Sequence, residues 1–193
     1  MNESFDVLIV GVGGQGTILA SNILGEACLI AGLPVRGAET HGMAQRGGSV
    51  ETHIRIGGMY GPLISPGTAD LIISFDLLEA LRYRHFLKSG GSMVTSDAII
   101  IPTSAFTANA EVPTQAEIIA RLTDISCTAI DAAGLATEAG SILSQNVVML
   151  GAASHVLPLS VEALREAISR SVPSKTVEAN LRAFELGRAC LKK

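Results

Sequence analysis

Cysteine is scarce: Cys28, Cys127 and Cys190 are the whole supply, odd in number and far apart along 193 residues. Such spacing supports neither a disulfide framework nor a ligand set for zinc or an iron–sulfur cluster, and each thiol is expected to act as a small buried apolar side chain. No basic block stands behind the net charge of −4, which argues against an electrostatic footprint for nucleic acid. No apolar run approaches the roughly 18 residues of a membrane span, and the opening Met1-Asn-Glu-Ser-Phe-Asp6 lacks the basic-then-apolar order of a signal peptide. A cytoplasmic chain, bound to neither nucleic acid nor membrane, is expected. His53, His85 and His155 form no i, i+4 pair, so no metal site is assigned, and no Ser, His and Asp order makes a self-contained catalytic set.

What the chain does hold is apolar surface. Hydrophobic residues make up 48% and charged residues 17%, with a mean hydropathy of +0.41. That balance fits strands buried on both faces of a parallel sheet, a surface covered by a partner subunit, or both. The length favours one domain over residues 1–193 with a helical C-terminal extension.

Its first organised stretch is Asp6-Val-Leu-Ile-Val-Gly-Val-Gly-Gly-Gln-Gly16, an apolar strand feeding a turn with four glycines among six positions. Leu19, Ile23, Ala27 and Ile30 then recur at helical spacing until Gly32-Leu33-Pro34, and a second strand starts near Val35, parallel to the first by a right-handed crossover. A polar loop, Glu39 to Ser49, follows. Val50, Thr52, Ile54 and Ile56 alternate with Glu51, His53 and Arg55, the pattern of an antiparallel edge strand with one solvated face.

Ala69 to Phe75 reads as a buried strand, Asp76 as the cap of a helix from Leu77 to Leu87, and Ser92 to Thr95 as another strand. Ile99 to Ile101 is expected to be an extended edge segment. Thr114-x-x-Glu117 is a capping box, Cys127 to Ile130 a strand, and Asp131-Ala-Ala-Gly134 the entry to a small-residue helix. From Asn146 the pattern is helical, broken at Pro173-Ser174. The sum is an α/β, Rossmann-like, mostly parallel sheet flanked by helices, with a helical C-terminal part.

Two stretches are candidate sites. Gly11-Val-Gly13-Gly-Gln-Gly16 has G-x-G-x-x-G spacing between strand and helix, so its backbone N–H groups either cradle an anionic group or let helix and strand pack closely. A dinucleotide site also wants an acid about 20 residues on. Arg36 would instead suit a 2′-phosphate and Glu39 falls late, which leaves a free-standing NADP-binding oxidoreductase open. No Gly-Lys-Ser/Thr follows the turn, so a Walker-type ATP loop is excluded. The second stretch, around His41 and Arg46, should emerge beside the turn at the carboxyl edge of the sheet, where the Arg46 guanidinium either matches a phosphate or carboxylate or stays a solvated loop charge. Asp76 and Asp97 end strands, facing the crevice or capping helices.

Gly11-Val-Gly-Gly-Gln-Gly-Thr17, Glu39-Thr-His-Gly-Met-Ala-Gln-Arg-Gly-Gly-Ser-Val50, Leu78-Glu-Ala-Leu-Arg82 and Ser171 to Phe184 together resemble the gamma-type subunits of 2-oxoacid:ferredoxin oxidoreductases, nearest to the indolepyruvate branch. The resemblance runs end to end. It implies a thiamine-diphosphate enzyme that decarboxylates a 2-oxoacid oxidatively, reduces ferredoxin and passes the acyl group to coenzyme A. A larger partner subunit would hold thiamine diphosphate, magnesium and the 4Fe-4S clusters; this chain, inactive alone, would shape the site and bind none of them. Gly11, Gly13, Gly14, Gln15 and Gly16 match the family's turn, and His41, Gly42, Met43, Gln45, Arg46, Gly47 and Gly48 its second loop. The expected roles are a polar or anionic contact for Gln15 and the turn N–H groups, and phosphate or carboxylate binding for Arg46. Pyruvate, 2-oxoisovalerate or 2-oxoglutarate remain alternative substrates, and a purely structural subunit an alternative role.

Overall fold

Val7, Leu8, Ile9 and Val10 all have 0% exposure, so both faces of the first strand, β1 (Phe5–Val12), are covered. Alternation sends Val7 and Ile9 into one core and Leu8 and Val10 into another. The computed structural model describes residues 4–41, 48–58, 61–101 and 111–191.

Around β1 lies a six-stranded mixed sheet with β2 (Val35–His41), β3 (Ser49–Ile56), β4 (Ala69–Ser74), β5 (Leu87–Ser96) and β6 (Ser126–Ile130), in the order β2-β3-β1-β4-β5-β6. β1, β4, β5 and β6 pair in parallel, while β3 runs antiparallel to both of its neighbours. One face carries α1 (Thr17–Ile30), α4 (Ala132–Ala139), α5 (Gln145–Ala153), α6 (Val161–Ser171) and α7 (Val177–Ala189) over the larger core. The other carries α2 (Leu77–Tyr83) and α3 (Gln115–Ala120) over the smaller one. The expected caps form. Asp76 accepts from the N–H groups of Leu78 and Glu79, Thr114 and Glu117 make the reciprocal box, and Asp131 accepts from Gly134.

The helix expected from Leu77 to Leu87 stops at Tyr83, and Leu87 already opens β5; four further expectations change. β2 runs in the direction of β1 but is not its neighbour, because the β2–β3 hairpin folds β3 in between. β3 is therefore an inner strand, and its polar face is covered by the segment after it: His53 Nδ1 accepts from Ile64 N–H at 3.1 Å, and Arg55 Nη1 donates to Gly61 C=O at 2.7 Å. Ile99 to Ile101 lies outside the sheet, whose edge is β6, and Ile100 N–H instead reaches Asp76 Oδ2 at 2.5 Å. Asp97 caps no helix among the described residues; its backbone N–H donates to Ile130 C=O at 3.0 Å.

Of the thiols, Cys28 is buried as expected, whereas Cys127 is half-buried and Cys190 is exposed at the end of α7. Burial raises the Cys28 and Cys127 pKa values to about 11 each, which leaves little thiolate, the reactive form, near neutrality. Iodoacetamide at pH 8 should therefore modify Cys190 first in the folded chain, with Cys28 labelled only after denaturation. Mass spectrometry before and after urea treatment checks this.

Candidate functional site

The chain leaves β1 towards α1 and β2 on one side, and the strand on the other side of β1 is β4. That reversal opens a crevice at the carboxyl ends of β1 and β4, the position where open α/β sheets bind ligands. A cavity of about 280 Å³ occupies it, lined by the glycine turn, Phe75, Ser96, Ile100 and Asn146 among others. That falls just under the usual 300 to 1,000 Å³ of a small-molecule pocket. It suits one anionic group better than a dinucleotide.

Two of the turn's glycines have positive φ, Gly14 at 105° and Gly16 at 81°. Gly16 stands as N-cap of α1 with no side-chain cap, and no acid occupies the first turn of the helix. The leading N–H groups are thus left without the capping side chain that usually meets them, in a field that favours an anion. At Gly11 the requirement is space: a β-carbon would sit 2.8 Å from Gln15 Oε1 and 3.0 Å from Phe75 Cβ. Close packing of strand and helix therefore accounts for glycine at position 11, where Thr17 of α1 also lies 3.0 Å from such a β-carbon.

Gln15 departs from its expected role. Its Oε1 accepts from Val12 N–H at 2.7 Å and its Nε2 donates to Phe75 C=O at 2.8 Å, so the amide braces the turn against the end of β4. Gly13 N–H donates to Gly48 C=O at 2.9 Å, and Val12 lies opposite Ser49 in the β1–β3 register. This ties the far end of the second candidate loop to the glycine turn. His41 closes β2 opposite Val50; Gly42, Met43, Gln45, Arg46 and Gly47 lie outside the described residues.

Sequence reasoning missed Asn146. It is 2% exposed and 130 positions from the turn, its Nδ2 reaches Gly16 C=O at 3.4 Å, and its Oδ1 accepts from Val147 N–H at 3.0 Å. The only available signal was a polar residue opening an apolar helix. Also missed was the reach of Asp76 beyond its expected cap: wholly buried, its second carboxylate oxygen accepts from Ile100 N–H and ties that segment to α2. Burial pushes its pKa above the ordinary aspartate value, while the N–H groups of Ile100, Glu79 and Leu78 oppose the rise. The rim is apolar: Ile100, Ile142 and Leu143 line the cavity and are exposed, Leu143 to 86%.

Residues 6–190 match the pyruvate ferredoxin/flavodoxin oxidoreductase family. The chain belongs to that family. It is 45% identical over 191 residues to indolepyruvate oxidoreductase subunit IorB of Thermococcus kodakarensis, covering 96% of this chain and 95% of that one. To 2-oxoglutarate synthase subunit KorC of Methanothermobacter thermautotrophicus it is 32% identical, covering 95% and 93%. The keto/oxoacid ferredoxin oxidoreductase gamma subunit from Geobacter sulfurreducens has the same fold, with a TM-score of 0.70, 25% identity and 95% of each chain covered.

Among the described residues no three His, Cys, Asp or Glu side chains converge as a ligand group, and the cysteines stand on α1, on β6 and beyond α7. No described helix is long and apolar enough to cross a membrane.

Proposed function

We infer that this chain is the subunit without clusters of an indolepyruvate-type 2-oxoacid:ferredoxin oxidoreductase, one domain over residues 1–193, acting in the cytoplasm. Its larger partner holds thiamine diphosphate, magnesium and the 4Fe-4S clusters, which supply oxidative decarboxylation of the aryl 2-oxoacid and electron delivery to ferredoxin. Coenzyme A takes the acyl group. This chain forms one wall of the shared site: the α1 N-terminus and turn N–H groups receive an anionic part of coenzyme A or substrate, and Arg46 binds a phosphate or carboxylate beside them.

The observation that carries the reading is the crevice itself. At about 280 Å³ it is small for a dinucleotide, its helix N-terminus has no side-chain cap, and its rim exposes Leu143, as expected of a site completed by another subunit. The 45% identity to an IorB subunit favours the indolepyruvate branch over the other 2-oxoacids. A free-standing NADP enzyme loses its geometry, since β3 separates β1 from the strand that bears Arg36.

Purification alone and with the partner tests the reading: only the complex should reduce ferredoxin, and reduction by the isolated chain would sink it. Arg46→Ala in the complex should lower kcat/KM by tenfold or more, the loss of a charge-assisted contact of about 1.5 to 3 kcal/mol. Unchanged kinetics would remove Arg46 from the site.

A further inference from the structure

Beneath the start of β3 lies a carboxylate that helix packing does not need. Glu79 sits in the first turn of α2 with its side chain 2% exposed, next to Leu77 and Ala80, which enter the smaller core. A buried charge is costly unless its oxygens are engaged, and an apolar residue of similar size would often serve stability as well or better. Both oxygens of Glu79 are engaged. Oε1 accepts from Arg82 Nη1 at 2.5 Å, and Oε2 accepts from Ser49 Oγ at 2.5 Å. Tyr83 Oη lies 3.2 Å from the same Ser49 oxygen, and burial raises the Tyr83 pKa, so the phenol stays protonated near neutrality. Arg82 supplies the compensating charge from a half-exposed position. Ser49 is what the carboxylate holds.

Ser49 is the first residue of β3, paired with Val12, the last of β1. Its neighbour Gly48 receives the N–H of Gly13 in the glycine turn. A single path therefore runs from α2 through Glu79 and Ser49 to Gly48 and the turn. We propose that Glu79, acting through Ser49, is a positioning residue for the glycine turn: it fixes where β3 begins and so the orientation of the N–H groups that meet the ligand. This rests on the reading above, in which the turn receives an anionic group of coenzyme A or substrate.

A contact made equally in ground and transition states moves KM and leaves kcat unchanged. The assembled enzyme carrying Ser49→Ala or Glu79→Gln should show a KM for coenzyme A raised about fivefold or more with kcat within about twofold. Ser49→Thr, which keeps the hydroxyl, should restore it. The double variant should be no worse than the poorer single one, as expected of two groups on one path. Thermal melting and size-exclusion chromatography of each complex separate this from simple loss of fold, and Ser49→Ala, which removes one half-buried hydroxyl, keeps the test valid if Glu79→Gln does not fold. Lowered melting temperatures with KM unchanged would overturn the proposal. If that result came with Arg46→Ala still costing tenfold, the shared-site reading would stand without it; if Arg46→Ala were also silent, both would fall.

Discussion

Gly187→Ala should destabilise the chain by about 3 kcal/mol or more, the upper part of the usual range for overpacking. α5 and α7 cross at two glycines: a β-carbon on Gly187 would drive into Val148 C=O, and one on Gly151 into Phe184 C=O, well inside van der Waals contact. The obstacle in each case is backbone, which cannot rotate aside as a side chain can. Ordinarily glycine to alanine inside a helix gains about 1 kcal/mol from propensity. Here the clash outweighs that gain, because the helices must separate to admit the methyl group. The effect should reach the site, since α5 begins beside Asn146, whose amide touches Gly16. Urea unfolding of the variant checks the prediction, and an unchanged midpoint would mean that the two helices are not in backbone contact.

Arg55→Ala should cost about 3 to 5 kcal/mol, the usual result of removing one partner of a buried ion pair. Arg55 donates from Nε to Asp6 Oδ1 at 2.9 Å and from Nη2 to Asp6 Oδ2 at 2.8 Å, with the two side chains 10% and 7% exposed. The pair joins β3 to β1, and Nη1 also holds Gly61 over the sheet. Removing the guanidinium leaves the Asp6 carboxylate, 7% exposed, without its two charged donors. Replacing both partners by apolar residues of similar volume should recover much of the loss, because no charge is then left unpaired. Chemical denaturation of the single and double variants checks the pair; a single variant within 1 kcal/mol of the parent would show that solvent reaches Asp6 freely.

Much of the fold was legible because its signals are local. The four apolar residues before the glycine turn, the Thr114–Glu117 box and the aspartates at 76 and 131 state their elements within a few positions, and caps and turns are satisfied by near neighbours. The turn could be placed between strand and helix for the same reason. The position of β3 was not legible. Glu51, His53 and Arg55 carry the polar alternation of a half-solvated edge strand, and the segment from Gly61 to Ile64, bonded to His53 and Arg55, together with Phe86 against the His53 ring, makes that face an interior one.

The site divides along the same line. By itself the sequence determined that an apolar strand delivers a glycine-rich turn to the start of a helix, because four glycines in six positions leave the backbone few other uses. It also placed a polar stretch holding Arg46 directly after the next strand along the chain. What only the tertiary structure decided is how the pieces meet: Gln15 turned inward to brace Phe75, Asn146 brought from 130 residues away, Gly48 bonded to Gly13, and Glu79 placed under Ser49. Each of these is a contact between residues distant in sequence. Periodicity reports which side of its own element a residue faces, and strand order and helix crossing then choose what it faces there.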